Sequence, residues 1–330
     1  LKRTKIVSVY SVCHFLVDFA CAFRILSAEI PRTAELFLLY NCLAFAMQMP
    51  LGLLADRLNR NSLAAALGCG LVSASYVVPS AAGITVAAGL GNALFHVGGG
   101  VDVLNLGRGD GLLGMFVSPG ALGIFLGTML AGRALPVWLP AVVLLAAAAA
   151  IPTLCGVRSE NAPFALPAAR AVFPAALCLF LVVCLRSYMG LLFAFPWKNG
   201  LWAVLLVCGV VLGKTLGGIL ADRFGAARTA AVSLLLCALL FFFADNPLPG
   251  TIAVLLFNMT MPLTLGELAR RMPGAKGFAF GLLTFALFLG FVPVYLGFPG
   301  FAGNAVFTGG AVLSLMLLLP TLLRRGGRDG

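Results

Sequence analysis

Charged residues in this 330-residue chain are spaced so widely that long, almost wholly apolar stretches lie between them. A run of about twenty such residues can cross a hydrocarbon layer of roughly 30 Å as one helix. Runs of that kind lie near residues 6–26, 34–55, 62–79, 81–104, 111–132 and 137–155, and again near 172–195, 201–221, 227–244, 250–267, 277–297 and 303–323. The reading is an all-α membrane protein with twelve transmembrane helices. Hydrophobic residues make up 61% of the chain and charged ones 10%, an excess that a water-soluble fold has no interior to hide. The lipid bilayer is the expected surrounding.

The chain also contains its own pattern twice. Gly52-Leu53-Leu54-Ala55-Asp56-Arg57-Leu58-Asn59 returns 166 positions later as Gly218-Ile219-Leu220-Ala221-Asp222-Arg223-Phe224-Gly225. At the same offset Asn92 falls on Asn258 and Gln48 on Lys214, so polar positions recur at matching depth. The longest polar break, from Gly156 to Pro163, lies near the midpoint. The expected organisation is a six-helix bundle over 1–155, a cytoplasmic linker over 156–170, and a second six-helix bundle over 171–330. An even number of spans per half sends both copies into the membrane in the same direction. They are then related by a pseudo-twofold axis along the membrane normal, with substrate bound between the halves.

The net charge of +11 does not mark a nucleic-acid surface, because the basic residues alternate between loops instead of forming one patch. The amino terminus and even-numbered connections hold sixteen of the 22 Lys and Arg residues, among them Lys2, Arg57, Arg60, Arg223 and Arg270. The odd-numbered connections hold only Arg24, Arg32, Arg133 and Lys198. The positive-inside rule therefore places both termini in the cytoplasm, as expected for the cytoplasmic (plasma) membrane of a prokaryote. The first span is too long for a signal peptide and lacks a small-residue cleavage pattern, so it reads as a retained helix.

The doubled Gly-x-Leu-Ala-Asp-Arg loop, between the second and third and between the eighth and ninth spans, resembles the signature of the major facilitator superfamily. That resemblance implies the major facilitator fold, two pseudo-symmetric six-helix bundles working by alternating access. It also implies an intracellular charge network, or latch, whose members here would be Asp56, Arg57, Asp222 and Arg223. Asn59 and Asn61 in the first copy, and the displaced Arg228 in the second, depart from the usual motif. A finer resemblance joins His14-Phe15-Leu16-Val17-Asp18, Phe95-His96 and Arg186-Ser187 to the fosmidomycin-resistance branch of drug exporters. Val97 and Gly98 stand where that branch has Pro-Glu, so its substrate is not carried over.

Ionisable residues inside spans are costly, about 2.5–3.5 kcal/mol each near the centre of a helix, so Asp18, Arg186 and Lys214 need partners or a water-filled cavity. At 1.5 Å per residue, Asp18 and Arg186 lie about 18 and 21 Å into their spans, near mid-membrane depth. His14 and Asp18 share a helical face and can bind a proton jointly, or else form a static pair that fixes packing. His96 offers either proton transfer or a hydrogen bond to a neighbouring helix. Arg186 can receive an anionic solute or pair with Asp18; Lys214 can reach the same cavity or snorkel to the interface. Asn92, Asn258 and Gln48 are candidate cavity-lining residues, with interhelical bonding as their alternative. Asp102 and Glu267 end the fourth and tenth spans, where pairing with Arg57 or Arg223 would reinforce the latch and solvation is the other reading.

Other chemistries find little support. Gly209-Val210-Val211-Leu212-Gly213-Lys214-Thr215 is one residue short of a phosphate-binding loop and lies inside a span. The nine cysteines form no Cys-x-x-Cys pair, and His14 and His96 stand on separate spans, so no metal site is expected. The resulting expectation is a monomeric secondary active transporter with no cofactor and no enzymatic activity. It would move a small organic solute, possibly anionic, and would be coupled to protons. A non-transporting membrane receptor or scaffold with the same fold is the alternative.

Overall fold

The computed structural model describes residues 2–27, 33–107, 109–131, 133, 135–156, 161–298 and 300–323; residues 157–160 of the expected linker, and Arg324, Arg325 and Arg328, lie outside the described residues. All regular structure among the described residues is helical. In chain order the segments are α1 (Lys2–Ile25), α2 (Ala34–Leu58), α3 (Asn61–Ala74), α4 (Ala81–Asn105), α5 (Gly111–Leu130) and α6 (Trp138–Cys155). They continue as α7 (Ala169–Leu192), α8 (Gly200–Phe224), α9 (Ala226–Phe241), α10 (Pro247–Arg271), α11 (Lys276–Tyr295) and α12 (Asn304–Leu323). Ten are long and apolar enough to cross a membrane, while α3 and α9 are shorter apolar helices of 14 and 16 residues. Large apolar side chains cover much of the outside: Leu201, Phe173 and Phe242 are each at least 60% exposed. That surface belongs in lipid, where a helix satisfies its own backbone.

Three of the helices are interrupted, and a proline accounts for each interruption. Proline lacks an N–H and its ring crowds the carbonyl four residues earlier. In α2, Pro50 leaves Ala46 without its donor, and residues Cys42–Ala46 widen into a π turn. Gln48 Nε2 donates to Ala44 O at 2.6 Å within the same stretch. In α5, Pro119 breaks the ladder after Val117 and Ser118 Oγ donates to Gly114 O at 2.6 Å. In α10, Pro262 breaks it after Asn258, and Thr260 Oγ1 donates to Phe257 O at 2.8 Å.

The chain forms two compact units. The first comprises Leu1–Gly107, Pro119–Leu166 and Met272–Phe285, and the second Arg108–Ser118, Pro167–Arg271 and Ala286–Gly330. The chain thus changes unit inside α5, at the Ser118–Pro119 break, and again inside α11.

Within the first unit, the later part of α5 lies directly on α1. A side chain at Gly123 would run into the Phe15 carbonyl, so only glycine permits this approach. The second unit is centred on an aromatic cluster, in which Phe193 packs on Phe241 and Phe307 with ring centroids 5.6 and 5.0 Å apart. Trp197 closes it, stacking on Phe195 and donating Nε1–H to Ala244 O at 2.8 Å.

Candidate functional site

The first unit buries a cluster of ionisable side chains between α1 and α4. His14 and Asp18 lie one turn apart on α1, with His14 Nε2 3.2 Å from Asp18 Oδ2. From α4, His96 brings its Nε2 to 2.9 Å from His14 Nε2 and 3.7 Å from Asp18 Oδ1. The two imidazoles meet edge to face at 4.4 Å. Asn92, one turn before His96, donates Nδ2–H to Asp18 Oδ1 at 2.9 Å. All four residues are less than 10% exposed. Spacing within α1 predicts the first pair; the approach of His96 is tertiary and was not legible, because nothing in either segment states that α1 and α4 cross here.

Hydrogen-bond chemistry fixes part of the protonation pattern. A carbonyl can only accept, so the 2.8 Å contact between His96 Nδ1 and Asn92 O requires a proton on Nδ1. Neutral His96 therefore presents the lone pair of Nε2 toward His14. A hydrogen on His14 Nε2 then has two acceptors within reach, His96 Nε2 at 2.9 Å and Asp18 Oδ2 at 3.2 Å. The fourth wall of the cluster is Gly120 of α5, where an added Cβ would collide with Asp18 Oδ2 and His14 Nε2.

The second unit holds a different arrangement. Arg186, on α7, is 8% exposed, and its Nη1 donates to Thr260 Oγ1 at 3.4 Å and Thr264 Oγ1 at 3.5 Å on α10. Neither acceptor is charged. Lys214 donates Nζ–H to Val117 O at 3.3 Å, a carbonyl next to the Pro119 break. Asn258 turns back on its own helix, donating to Val254 O at 2.8 Å, unlike its repeat partner Asn92. Gln48 also bonds within its own helix and leaves Oε1 buried without a partner. Thr260 and Thr264 were not singled out in the sequence, where two threonines at helical spacing carry no signal of their own.

The repeated acidic residues cap helices. Asp56 accepts N–H from Gly277 at 2.7 Å and Phe278 at 2.8 Å at the start of α11. Asp222 accepts N–H from Asp110 at 2.6 Å and Gly111 at 2.9 Å at the start of α5. Such ends expose unsatisfied donors and carry partial positive charge, which a carboxylate neutralises. The adjoining arginines lie over aromatic rings, Arg57 on Phe164 at 4.9 Å and Arg223 on Phe224 at 5.3 Å.

Asp102 and Glu267 take partners other than Arg57 and Arg223. Asp102 accepts from Tyr10 Oη at 2.6 Å and Asn61 Nδ2 at 2.8 Å. Asn61 also donates to Asn161 Oδ1 at 2.7 Å. Glu267 is bound by Arg271 at 2.8 Å and Arg270 at 3.5 Å, neighbours at the i+4 and i+3 spacing of α10. Arg270 in turn holds Asp110 through its two terminal guanidinium nitrogens, Nη1 and Nη2, at 2.5 and 3.3 Å. Burial pushes the Asp110 carboxyl above the ordinary carboxylate range, with Arg270 acting against that shift.

No protein-family model matches the chain, and no curated protein matches it in sequence. Solved structures do. The human organic anion transporter MFSD10 (TETRAN) superposes with a TM-score of 0.68 at 16% identity, over 96% of this chain and 99% of that one. The fucose:proton symporter FucP of E. coli, in its N162A form, gives 0.65 at 14% identity, over 97% and 98%. A bacterial homologue of the iron transporter ferroportin, in an outward-facing state, gives 0.66 at 14% identity, over 98% and 100%.

Proposed function

We propose that this chain, which has the fold of major facilitator transporters and is an integral membrane protein, is a secondary transporter that moves a small organic solute by alternating access and couples it to protons. The observation that carries the reading is the His14–Asp18–His96 cluster, a buried group able to take up and release a proton within membrane helices. Ionisable side chains in that setting are expensive and are kept for pathways, relays and ligands. Arg186 supports an anionic solute. Its guanidinium is buried against two long contacts to threonine hydroxyls, and a carboxylate or phosphate would supply the bidentate acceptor it lacks there.

All twelve helices, α3 and α9 included, are read as crossing the membrane in two six-helix halves over 1–155 and 171–330. The halves are joined by the 156–170 linker, and both termini lie on the cytoplasmic side of a prokaryotic plasma membrane. The protein works as a monomer and a carrier, not as an enzyme. Asp56 and Asp222 act in the latch as helix caps: each must leave its helix start, or carry it along, when the carrier changes state. Asp102 and Glu267 support the same region, and Asn92, Asn258, Gln48 and Lys214 border the solute path.

The test is uptake by protein reconstituted in liposomes under an imposed pH gradient, using organic anions chosen by their effect on thermal stability. Solute entry that acidifies or alkalinises the lumen, and is abolished by Asp18→Asn with folding intact, supports the proposal. Solute movement indifferent to the gradient and to Asp18→Asn would remove proton coupling. Failure of every solute class to bind or move would leave the receptor or scaffold reading in its place.

A further inference from the structure

The same cluster has the donor set and spacing of a metal site. His14, Asp18 and His96 each offer one ligand atom, and all of these lie within 4.8 Å of one another. The closest donor separations are 2.9, 3.2 and 3.7 Å. Two nitrogens or oxygens bound to one ion at about 2.0–2.1 Å, with bond angles between square and tetrahedral, stand about 3 Å apart. Two of the three separations, 2.9 and 3.2 Å, are already those an ion would impose, and the third, 3.7 Å, is a few tenths of an ångström wider.

The surroundings are those of a metal-binding histidine. His96 donates Nδ1–H to Asn92 O at 2.8 Å, which fixes the ring and directs the Nε2 lone pair inward. Ligating imidazoles are characteristically held in this way by a carbonyl or carboxylate on their other nitrogen. Asp18 is steadied by the Asn92 amide at 2.9 Å. Asn92 Oδ1, on a side chain 2% exposed, is buried without a hydrogen-bond partner. A cation or its bound water would satisfy that oxygen. Two imidazole lone pairs and a carboxylate converging on one point repel unless something positive sits between them. A proton on His14 fills that need, and so would an ion.

We propose that His14, Asp18 and His96 bind a divalent first-row transition-metal ion at the point where their donor atoms converge. Two imidazoles and one carboxylate suit iron, cobalt, nickel or zinc, and the set leaves coordination positions open for water or a solute anion. Magnesium and calcium, which prefer all-oxygen shells, would bind poorly. Among the described residues, Cys21 also lies beside the cluster, its Sγ 3.8 Å from Asn92 Nδ2 and itself hydrogen-bonded to Tyr40; α5 faces the site with Gly120. The inference rests on the donor geometry alone and holds whether or not the cluster drives transport.

The experiment uses tag-free protein in detergent micelles, titrated with cobalt(II) while visible absorption is followed. One cobalt per chain with a nitrogen–oxygen spectrum, displacement by zinc but not by magnesium, and affinity at least about tenfold lower in His14→Gln and His96→Gln would support the site. Binding unchanged in both variants, a thiolate charge-transfer band, or no binding would overturn it. Should the variants fail to fold, copper(II) spin resonance on the unmodified protein counts the coordinated imidazoles. Two support the site, and none or one sinks it. Micelles sustain no gradient, so a protein that transports its solute with protons yet ignores cobalt refutes the metal site alone.

Discussion

Asp56 and Asp222 occupy the same place in the repeated segment and make the same contact, each carboxylate accepting two consecutive backbone N–H groups at the start of a helix. The bonds run from 2.6 to 2.9 Å, within the range of charge-assisted contacts. The repeat has thus kept an interaction with the peptide backbone, which does not depend on the side chains opposite.

Replacing either carboxylate by alanine should therefore cost about 1.5–3 kcal/mol, the usual worth of hydrogen bonds to a charged group. Asp56→Asn should retain part of it, since an amide oxygen still accepts. Because the two caps lie in separate units, the costs should add in Asp56→Ala/Asp222→Ala. Chemical unfolding in micelles measures this; equal damage from Arg57→Ala would show that the arginine, not the cap, carries the stability.

Gly120→Ala should disable the buried cluster without emptying the membrane of protein. Its methyl group would meet Asp18 and His14, and overpacking of this kind costs about 1–3 kcal/mol. Gly70→Ala, where nothing lies within 4 Å of the added carbon, is the matched control and should be neutral or slightly stabilising. Expression, thermal stability and proton-driven uptake are the readouts. Full uptake in Gly120→Ala would mean that α1 and α5 do not need this close approach.

Arg186→Met should fold as well as the parent or better, since it removes a buried cation whose contacts are two uncharged hydroxyls. It should also lose the thermal stabilisation by anionic solutes. Arg186→Lys keeps the charge but not the planar fork, and should weaken solute binding by about tenfold or more. A lysine variant that binds solute like the parent would argue that the guanidinium is structural.

Arg270→Ala strands Asp110, and breaking a buried pair from one side typically costs about 3–5 kcal/mol. Burial already raises the Asp110 carboxyl pKa. The stranded acid gains nothing from ionising, so the deficit should be largest near neutrality and shrink as the pH falls through that raised value. Adding Asp110→Asn should recover much of the loss. A deficit independent of pH would assign it to lost packing of the arginine stem.

The apolar runs gave the membrane class and the helix positions directly, because a bilayer admits few alternatives to a continuous helix. Pro50, Pro119 and Pro262 are visible in the sequence, but a proline inside an apolar run does not state whether the helix bends, widens or breaks there. Glu267 shows a different miss. Its partners Arg270 and Arg271 stand at helical spacing in the sequence, whereas the expected partners were Arg57 or Arg223, or solvent. Asp102 is bound by a tyrosine and an asparagine, residues that advertise no charge. The largest omission is the meeting of His96 with His14. The two histidines stand on separate spans, and only the crossing of α1 with α4 brings their rings together.

Residues 108–118 and 272–285 each belong to a different compact unit from the chain on either side of them. Two polypeptides made by opening the gene at the linker would therefore each lack a stretch that its own unit requires and carry one that the other requires. Produced separately, neither would complete its packing, and quality-control proteases should clear both. Produced together, they should survive only by trading segments, as swapped dimers do, so co-expression rescue is a direct reading of that reciprocity.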